Sequence, residues 1–333
     1  MFTPTPTDSI PRDRGPGFAH EVVGVMNEGV EKPLRVRIGI VTKNRPDYLP
    51  KCLRSCVAQS YEPKEIIVWD NSDDAAALRQ NEAVAREFSE VRWIRPDVEV
   101  PYAVARHRMM SEEGYDLYAS IDDDGWFMGR DAVGEAAAVF MAQPDLGAVA
   151  FDILSPDRPD PVARRAPEPA TTFVGCGHML RRSMVEKVGF YTDFPGPYGA
   201  EEKDLCIRLL DRGWRSVFLP GVHVWHDKDA RNRDWGAQHR SGTLNDMVFG
   251  LLRCPWPHVL YYLPGKALRH ARWGLKGSPE ERWSGFRGLA DFIACAPLYL
   301  KQRRPVGRKT FRRFFASGRD SGRKPRDWQG KER

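Results

Sequence analysis

The chain has little that would carry it across or out of a membrane. Its 333 residues contain no run of about 18 or more apolar residues, so no transmembrane helix is predicted. The opening stretch, "MFTPTPTDSIPRDRGPG", lacks the apolar region of a secretory signal; it is Pro-rich and polar, and residues 1–33 are predicted to be disordered. Cysteine is sparse. Cys52, Cys56, Cys176, Cys206, Cys254 and Cys295 form no CxxC pair and fit no zinc spacing, so they read as buried small apolar residues in a reducing compartment. No internal repeat is evident, and no recognised nucleic-acid motif accompanies the basic residues, so no nucleic-acid partner is predicted.

What is present is a globular composition, 41% hydrophobic, with an uneven charge. The net charge is +6, yet residues 301–333 hold 13 Lys/Arg against 3 Asp/Glu, a local excess of +10 that leaves the first 300 residues at −4. The body is mildly acidic and the end strongly basic, which suits an anionic membrane surface.

Order is predicted to begin at "RVRIGIVT", where Val36, Ile38 and Ile40 alternate with Arg37, Gly39 and Val41 as in a strand. Leu49, Cys52, Leu53, Cys56 and Val57 then recur at helical spacing, and "EIIVWDNSDD" is a second short apolar run ending in Asp70. Strand, helix, strand in about 35 residues is a βαβ unit and implies a parallel sheet. Further strands are predicted at "EVRWIRP", "DLYASI", "GAVAFDIL", "FVGCGHMLRR" and "SVFLPGVHVWH", with helices at 102–113, "DAVGEAAAVFMAQ" and "EEKDLCIRLLDRG". Residues 155–172, rich in Pro and charge, read as a mobile loop. Beyond about 230 the strands give way to short helical stretches mixing apolar, aromatic and basic residues.

The chemistry concentrates in two acidic clusters. "YASIDDDGWF" places Asp122, Asp123 and Asp124 at the end of an apolar run. In an open α/β sheet, ligands bind beyond the carboxyl ends of the strands, so Asp70 and this triplet share one rim. Three adjacent carboxylates repel one another. A divalent metal with oxygen ligands relieves that, and an Asp122-x-Asp124 pair could hold Mg²⁺ or Mn²⁺. The second cluster is "GAEEKDL", with Glu201, Glu202 and Asp204, where the competing reading is a set of acids at a helix start.

In combination, "IVTKNRPDYLPKCLRSCVAQSYEPKEIIVWDNSDD", "AVARHRMM", "ASIDDDGWF", "VGCGHMLRRSMVEKVGFYTDFPGPYGAEEKDLCIRLLDRGW" and "VFLPGVHVWH" resemble, in order, the nucleotide-sugar glycosyltransferases of family 2, of bacterial type and GT-A fold. The resemblance spans residues 36–226. It implies a Rossmann-like α/β nucleotide-sugar-binding domain over 34–230, a mostly helical region over 231–305 and a basic tail over 306–333. Thr42, Asn44, Arg45, Asp70, Arg106, Asp122 and Asp123 would bind the donor. Asp124, Asp122 and His226 would hold the metal, His226 alternatively touching the diphosphate. Glu202 or its neighbour Glu201 would be the base that deprotonates the acceptor hydroxyl. Gly175, Cys176, Gly177, Trp225 and Asp204 would lie on the acceptor side, with Asp204 the most structural of the acids. His223, three residues before His226 on a strand, would face the other way.

Two positions depart from the family. His107 stands where Asn is usual after the Arg, and Glu202 stands where Asp is usual. The implied reaction is transfer of a sugar from a nucleoside-diphosphate sugar (UDP- first, dTDP- or GDP- as alternatives) to a hydroxyl of a saccharide or lipid-linked acceptor. It would proceed with inversion and metal assistance, in cell-envelope polysaccharide biosynthesis. The expected location is the cytoplasm, peripheral at the inner face of the cytoplasmic membrane. The alternative is a catalytically inactive nucleotide-sugar- or glycan-binding scaffold. A haloacid-dehalogenase-type phosphohydrolase also uses Asp-x-Asp after a strand, but Gly125-Trp126 follows Asp124 here and a full βαβ unit precedes it.

Overall fold

Alternation of apolar runs with helical repeats builds one mixed sheet with helices on both faces. The computed structural model describes residues 32–162, 166–228, 234–276 and 283–320; the segment predicted to be disordered, apart from its last two residues, lies outside them. β1 (Val36–Thr42), α1 (Leu49–Val57) and β2 (Lys64–Asp70) form the predicted βαβ unit, and β1 pairs in parallel with both β2 and β4 (Leu117–Asp122). α1 buries Leu49, Cys52, Leu53 and Cys56, the face its spacing predicted, and carries a proline in its first turn, where no amide is needed.

α2 (Ala75–Glu87), which the sequence reading did not single out, starts on Asp74, whose carboxylate accepts from the amides of Ala76 and Ala77 at 3.0 and 2.8 Å. β3 (Arg92–Ile94), α3 (Tyr102–Ser111), β5 (Gly125–Phe127), α4 (Ala132–Ala142), β6 (Leu146–Leu154), β7 (Glu168–Pro169), β8 (Gly177–Arg181), α5 (Arg182–Val188), α6 (Glu201–Asp211) and β9 (Arg215–His226) complete the sheet and its covering helices.

The strand order is β3-β2-β1-β4-β8-β6-β9-β5, with β7 on β9. β8 runs antiparallel between β4 and β6, and β5 antiparallel to β9. Successive residues of a strand face opposite sides. Ile66 and Val68 of β2 accordingly join one apolar cluster, with α1 and α4, whereas Ile67 and Trp69 join another, with α3, α6 and the C-terminal helices. Five of the six cysteines are buried, Cys295 is half-buried, and all six are free thiols.

Two expectations need correction. The described part of 155–172 is pinned rather than mobile. Asp152 pairs with Arg158 and accepts from the Val162 amide at 2.9 Å, and Glu168–Pro169 adds a short strand to β9. The basic tail expected from 306 begins instead as a packed helix. After α7 (Trp235–Arg253), α8 (Val259–Lys276) and α9 (Ser284–Lys301), α10 (Arg308–Asp320) buries Phe311 and Phe314, together with Val306, in the second cluster. A count of charges cannot see this, because the arginines and phenylalanines of an amphipathic helix occupy opposite faces. All four C-terminal helices belong to the same compact unit as the sheet, Pro33–Arg333.

Candidate active site

Strand register assembles the site. Thr42 is opposite Asp70 and Val41 opposite Asp122, so the ends of β1, β2 and β4 form one rim. β8 starts with Gly177 opposite Ile121, which sets Cys176 beside Asp122. β5 and β9 pair Gly125 with His226, which sets His226 beside Asp124. Gly125 has to be glycine for space: a Cβ there would lie 2.8 Å from the Cys176 sulfur.

Arg106, Arg45 and His226 divide the triplet between them. Asp122 pairs with the buried Arg106. Asp123, fully buried, accepts from Thr42 Oγ1 at 2.8 Å and pairs with Arg45. Asp124 lies 3.0 Å from Arg45 Nη1 through one oxygen and 3.2 Å from His226 Nε2 through the other. Burial pushes the Asp123 carboxyl up to about 7, with Arg45 opposing and Asp124 adding to the rise. Burial pulls the His226 imidazole down, but the Cys176 sulfur and the carboxylates of Asp124 and Asp122 outweigh it and push it up to about 11.

The donor expectations divide accordingly. Arg106 and Asp122 are paired with each other. Thr42 and Asp123 are buried and bonded to each other at the β1 end. Asn44, in left-handed backbone, ties two loops together: its amide group bonds the Asp73 carboxylate at 2.6 Å and accepts from the amides of Asp73 and Asp74 at 3.1 Å. Arg45 spans Asp123 and Asp124. Asp70 is buried, its two oxygens engaged by the Ser72 amide and by Asn81 and Arg95.

The side chains of Asp122, Cys176 and His226 each offer a ligand atom, and these atoms lie within 4.8 Å of one another. The set mixes carboxylate, thiol and imidazole. His226 Nε2 is buried with no well-formed hydrogen bond, 3.7 Å from Asp122 Oδ2. Such a donor set fits a divalent ion. Cys176, expected on the acceptor side, lies in this group. Sequence reasoning missed it because only the register of β8 on β4 brings residue 176 to residue 122.

The second cluster opens α6. Gly199 and Ala200 both adopt left-handed backbone, at φ +91° and 82°, and turn the chain sharply before Glu201. A non-glycine residue held there is strained, and its surroundings must hold it. Asn245 of α7 does so: its amide nitrogen lies 2.8, 2.9 and 2.9 Å from the carbonyls of Gly196, Tyr198 and Gly199, and its oxygen accepts from the Gly196 amide at 2.8 Å. Nothing in the sequence linked residue 245 to the loop 46 positions earlier.

The two glutamates then part ways. Glu201 is buried and accepts from the Tyr102 hydroxyl. Glu202 looks onto Gly175 and Arg106: a Cβ on Gly175 would lie 3.2 Å from Glu202 Oε1 and 2.5 Å from Arg106 Nη1. Burial, and then the neighbouring Glu201, push the Glu202 carboxyl up to about 8. Burial likewise raises Glu201, against the Tyr102 hydrogen bond.

Three residues expected on the acceptor side have partners within the protein. Asp204 is fully buried and bonded to Thr192, Arg208 and Arg253. Gly177 lies in the sheet, where a Cβ would meet Ile153 at 2.3 Å. Trp225 stacks on Trp126, ring centroids 6.1 Å apart, and donates to Asp227 at 2.8 Å. Gly175 lies against Arg106 and Glu202. His107 bonds the Tyr191 carbonyl at 3.1 Å, and so fastens α3 to the segment after α5. His223 faces Asp152 at 3.4 Å, away from His226 as predicted.

Comparisons agree with this architecture. A search of curated proteins by sequence returned no match. The mannosyltransferase PcManGT from Pyrobaculum calidifontis, solved with GDP-Man and Mn²⁺, superposes with a TM-score of 0.53 at 14% identity over 92% of this chain and 87% of its own. TarS 1-349 from S. aureus, solved with UDP-GlcNAc, gives 0.57 at 13% identity over 86% and 92%. GalNAc-T7, solved with UDP, GalNAc and Mn²⁺, gives 0.62 at 13% identity over 87% of this chain and 58% of its own. The family model "Glycosyl transferase family 2" matches residues 37–189. Residues 37–189 are therefore a family 2 glycosyltransferase domain, set in a GT-A fold.

Proposed function

We propose that the protein transfers a sugar from a nucleoside-diphosphate sugar to an acceptor hydroxyl in one inverting displacement, with Glu202 as the base. The observation that carries this reading is a convergence at Gly175. Arg106, paired with Asp122, and Glu202 both come up against it, a Cβ there lying 2.5 Å from Arg106 Nη1 and 3.2 Å from Glu202 Oε1.

Glu202 would take the proton of the acceptor hydroxyl as the hydroxyl oxygen attacks the anomeric carbon and the bond to the diphosphate breaks. A carboxyl raised to about 8 is a stronger base than an ordinary glutamate once ionised, which suits a weakly acidic alcohol. Arg106, held over the Tyr102 ring at 4.9 Å and fixed by Asp122, would face the charge left on the departing diphosphate. Asp122, Asp124 and His226, with Cys176 beside them, would hold a divalent ion. When bound, that ion supplies a Lewis acid for the leaving group. Glu201, capped by Tyr102, would hold the turn and keep the Glu202 proton affinity high.

The reading is supported by the ligands with which the structural neighbours were solved, GDP-Man, UDP-GlcNAc and UDP with GalNAc. Donor turnover across UDP-, dTDP- and GDP-sugars, with Mn²⁺ or Mg²⁺ and with chelator, tests it. Metal-dependent release of a nucleoside diphosphate from at least one donor is expected. Neither binding nor turnover across the panel would leave the scaffold reading in its place.

A further inference from the structure

α8 and α9 pack on α7 and on each other, yet both leave apolar side chains pointing to solvent. On α8 these are Leu260, Tyr261, Leu268 and Leu275; on α9, Ile293 and Leu298. All six are between 52% and 73% exposed. The spacing is helical, so each set is a stripe along one face. On α9 the stripe continues through Ala290, Ala294 and Pro297, all exposed. An ordinary amphipathic helix turns its polar residues outward, and here the outward faces are apolar.

Charge narrows the occupant. α8 contains no acidic residue, and the one acid of α9, Asp291, is paired with Arg240. Arg272 on α8 and Arg287 and Lys301 on α9 are exposed, as is Arg304 just beyond. An apolar stripe edged by cations with almost no anions fits an anionic, apolar-cored surface. A second copy would bring the same cations face to face. Neither helix is long and apolar enough to span a bilayer, and Pro264 and Pro297 interrupt them. Each can lie in the headgroup layer with its stripe toward the acyl chains.

We propose that the outward faces of α8 and α9 seat this protein on an anionic lipid bilayer. The basic end of the chain, to which composition pointed, is not the inserting element over 308–316, because Phe311 and Phe314 of α10 are buried in the protein core. The proposal does not depend on the chemistry assigned to Glu202.

The test is cosedimentation of the full chain with vesicles of phosphatidylcholine alone and with phosphatidylglycerol added. Binding is expected only to the anionic vesicles and should weaken with salt. The Leu268→Glu/Ile293→Glu double variant should bind roughly tenfold less or weaker still, with Tm and donor turnover unchanged. Arg272→Glu/Lys301→Glu should lose the preference for phosphatidylglycerol. Wild-type protein that stays in the supernatant with every vesicle overturns the proposal, as does a double variant that sediments like the wild type. A wild-type dimer in light scattering that the double variant dissolves would assign the face to self-association instead, and also overturns it.

Discussion

The two carboxylate clusters of this protein are built from the same chemistry and end in opposite states. In the first, every aspartate has a basic partner: Arg106 for Asp122, Arg45 shared by Asp123 and Asp124, and His226 beside Asp124. In the second, the ion pairs gather on one acid. Arg208 and Arg253 both converge on Asp204, whose carboxyl stays below its usual range despite burial. Among the described residues neither Glu201 nor Glu202 forms an ion pair; burial raises both, with Arg106 opposing. A run of acids therefore says little about function until its counter-ions are known. The satisfied cluster is suited to holding charge, and the unsatisfied one to moving a proton.

Exchanging the two roles breaks the comparison most directly. Glu202→Gln is expected to lower turnover by about 10²–10⁴-fold with donor affinity preserved, and Asp124→Ala to abolish metal-dependent donor binding. Titration calorimetry beside steady-state rates separates the two. Unchanged turnover in Glu202→Gln would move the base to Glu201.

Asp204→Ala is expected to cost about 3–5 kcal/mol of stability, because it strands two buried guanidinium groups. Chemical denaturation measures it, and a loss confined to activity would contradict the structural role.

Asn245→Ala should reduce kcat by on the order of tenfold to a hundredfold with Tm lowered only modestly, since the Gly199–Ala200 turn would lose its clamp and Glu202 its position.

The smallest effect is in pH. Glu202 has a folded pKa raised above its unfolded value, so its contribution to stability is full below about 4.5 and is lost as pH rises through about 8. Glu202→Gln should therefore leave Tm unchanged near pH 4 and raise it by a few degrees at pH 9. Activity runs the other way: a base must be ionised, so kcat/KM of the wild type should rise with pH up to about 8.

Local pattern made much of the fold legible. Apolar runs ending in Asp70 and Asp122, helical spacing in Leu49–Val57 and the change of character after 230 all state their structure within a few residues of themselves. The DDD triplet and the Glu-Glu pair were likewise visible as chemistry. What the pattern could not show was direction. Thr42 and Asp123 turn inward, Gly177 packs on Ile153, and Cys176 turns to His226, because each is oriented by a strand or helix distant in sequence.

By itself, then, the sequence determined the elements and the list of chemically capable residues. Backbone propensity and hydrophobic period are local and survive without a fold. Only the tertiary structure decided which acids are paired and which are not. Ion pairs such as Asp204–Arg253, the Asn245 clamp and the register of β8 on β4 join positions tens of residues apart, and a carboxylate's proton affinity is set by those neighbours and by burial rather than by the residues beside it in the chain.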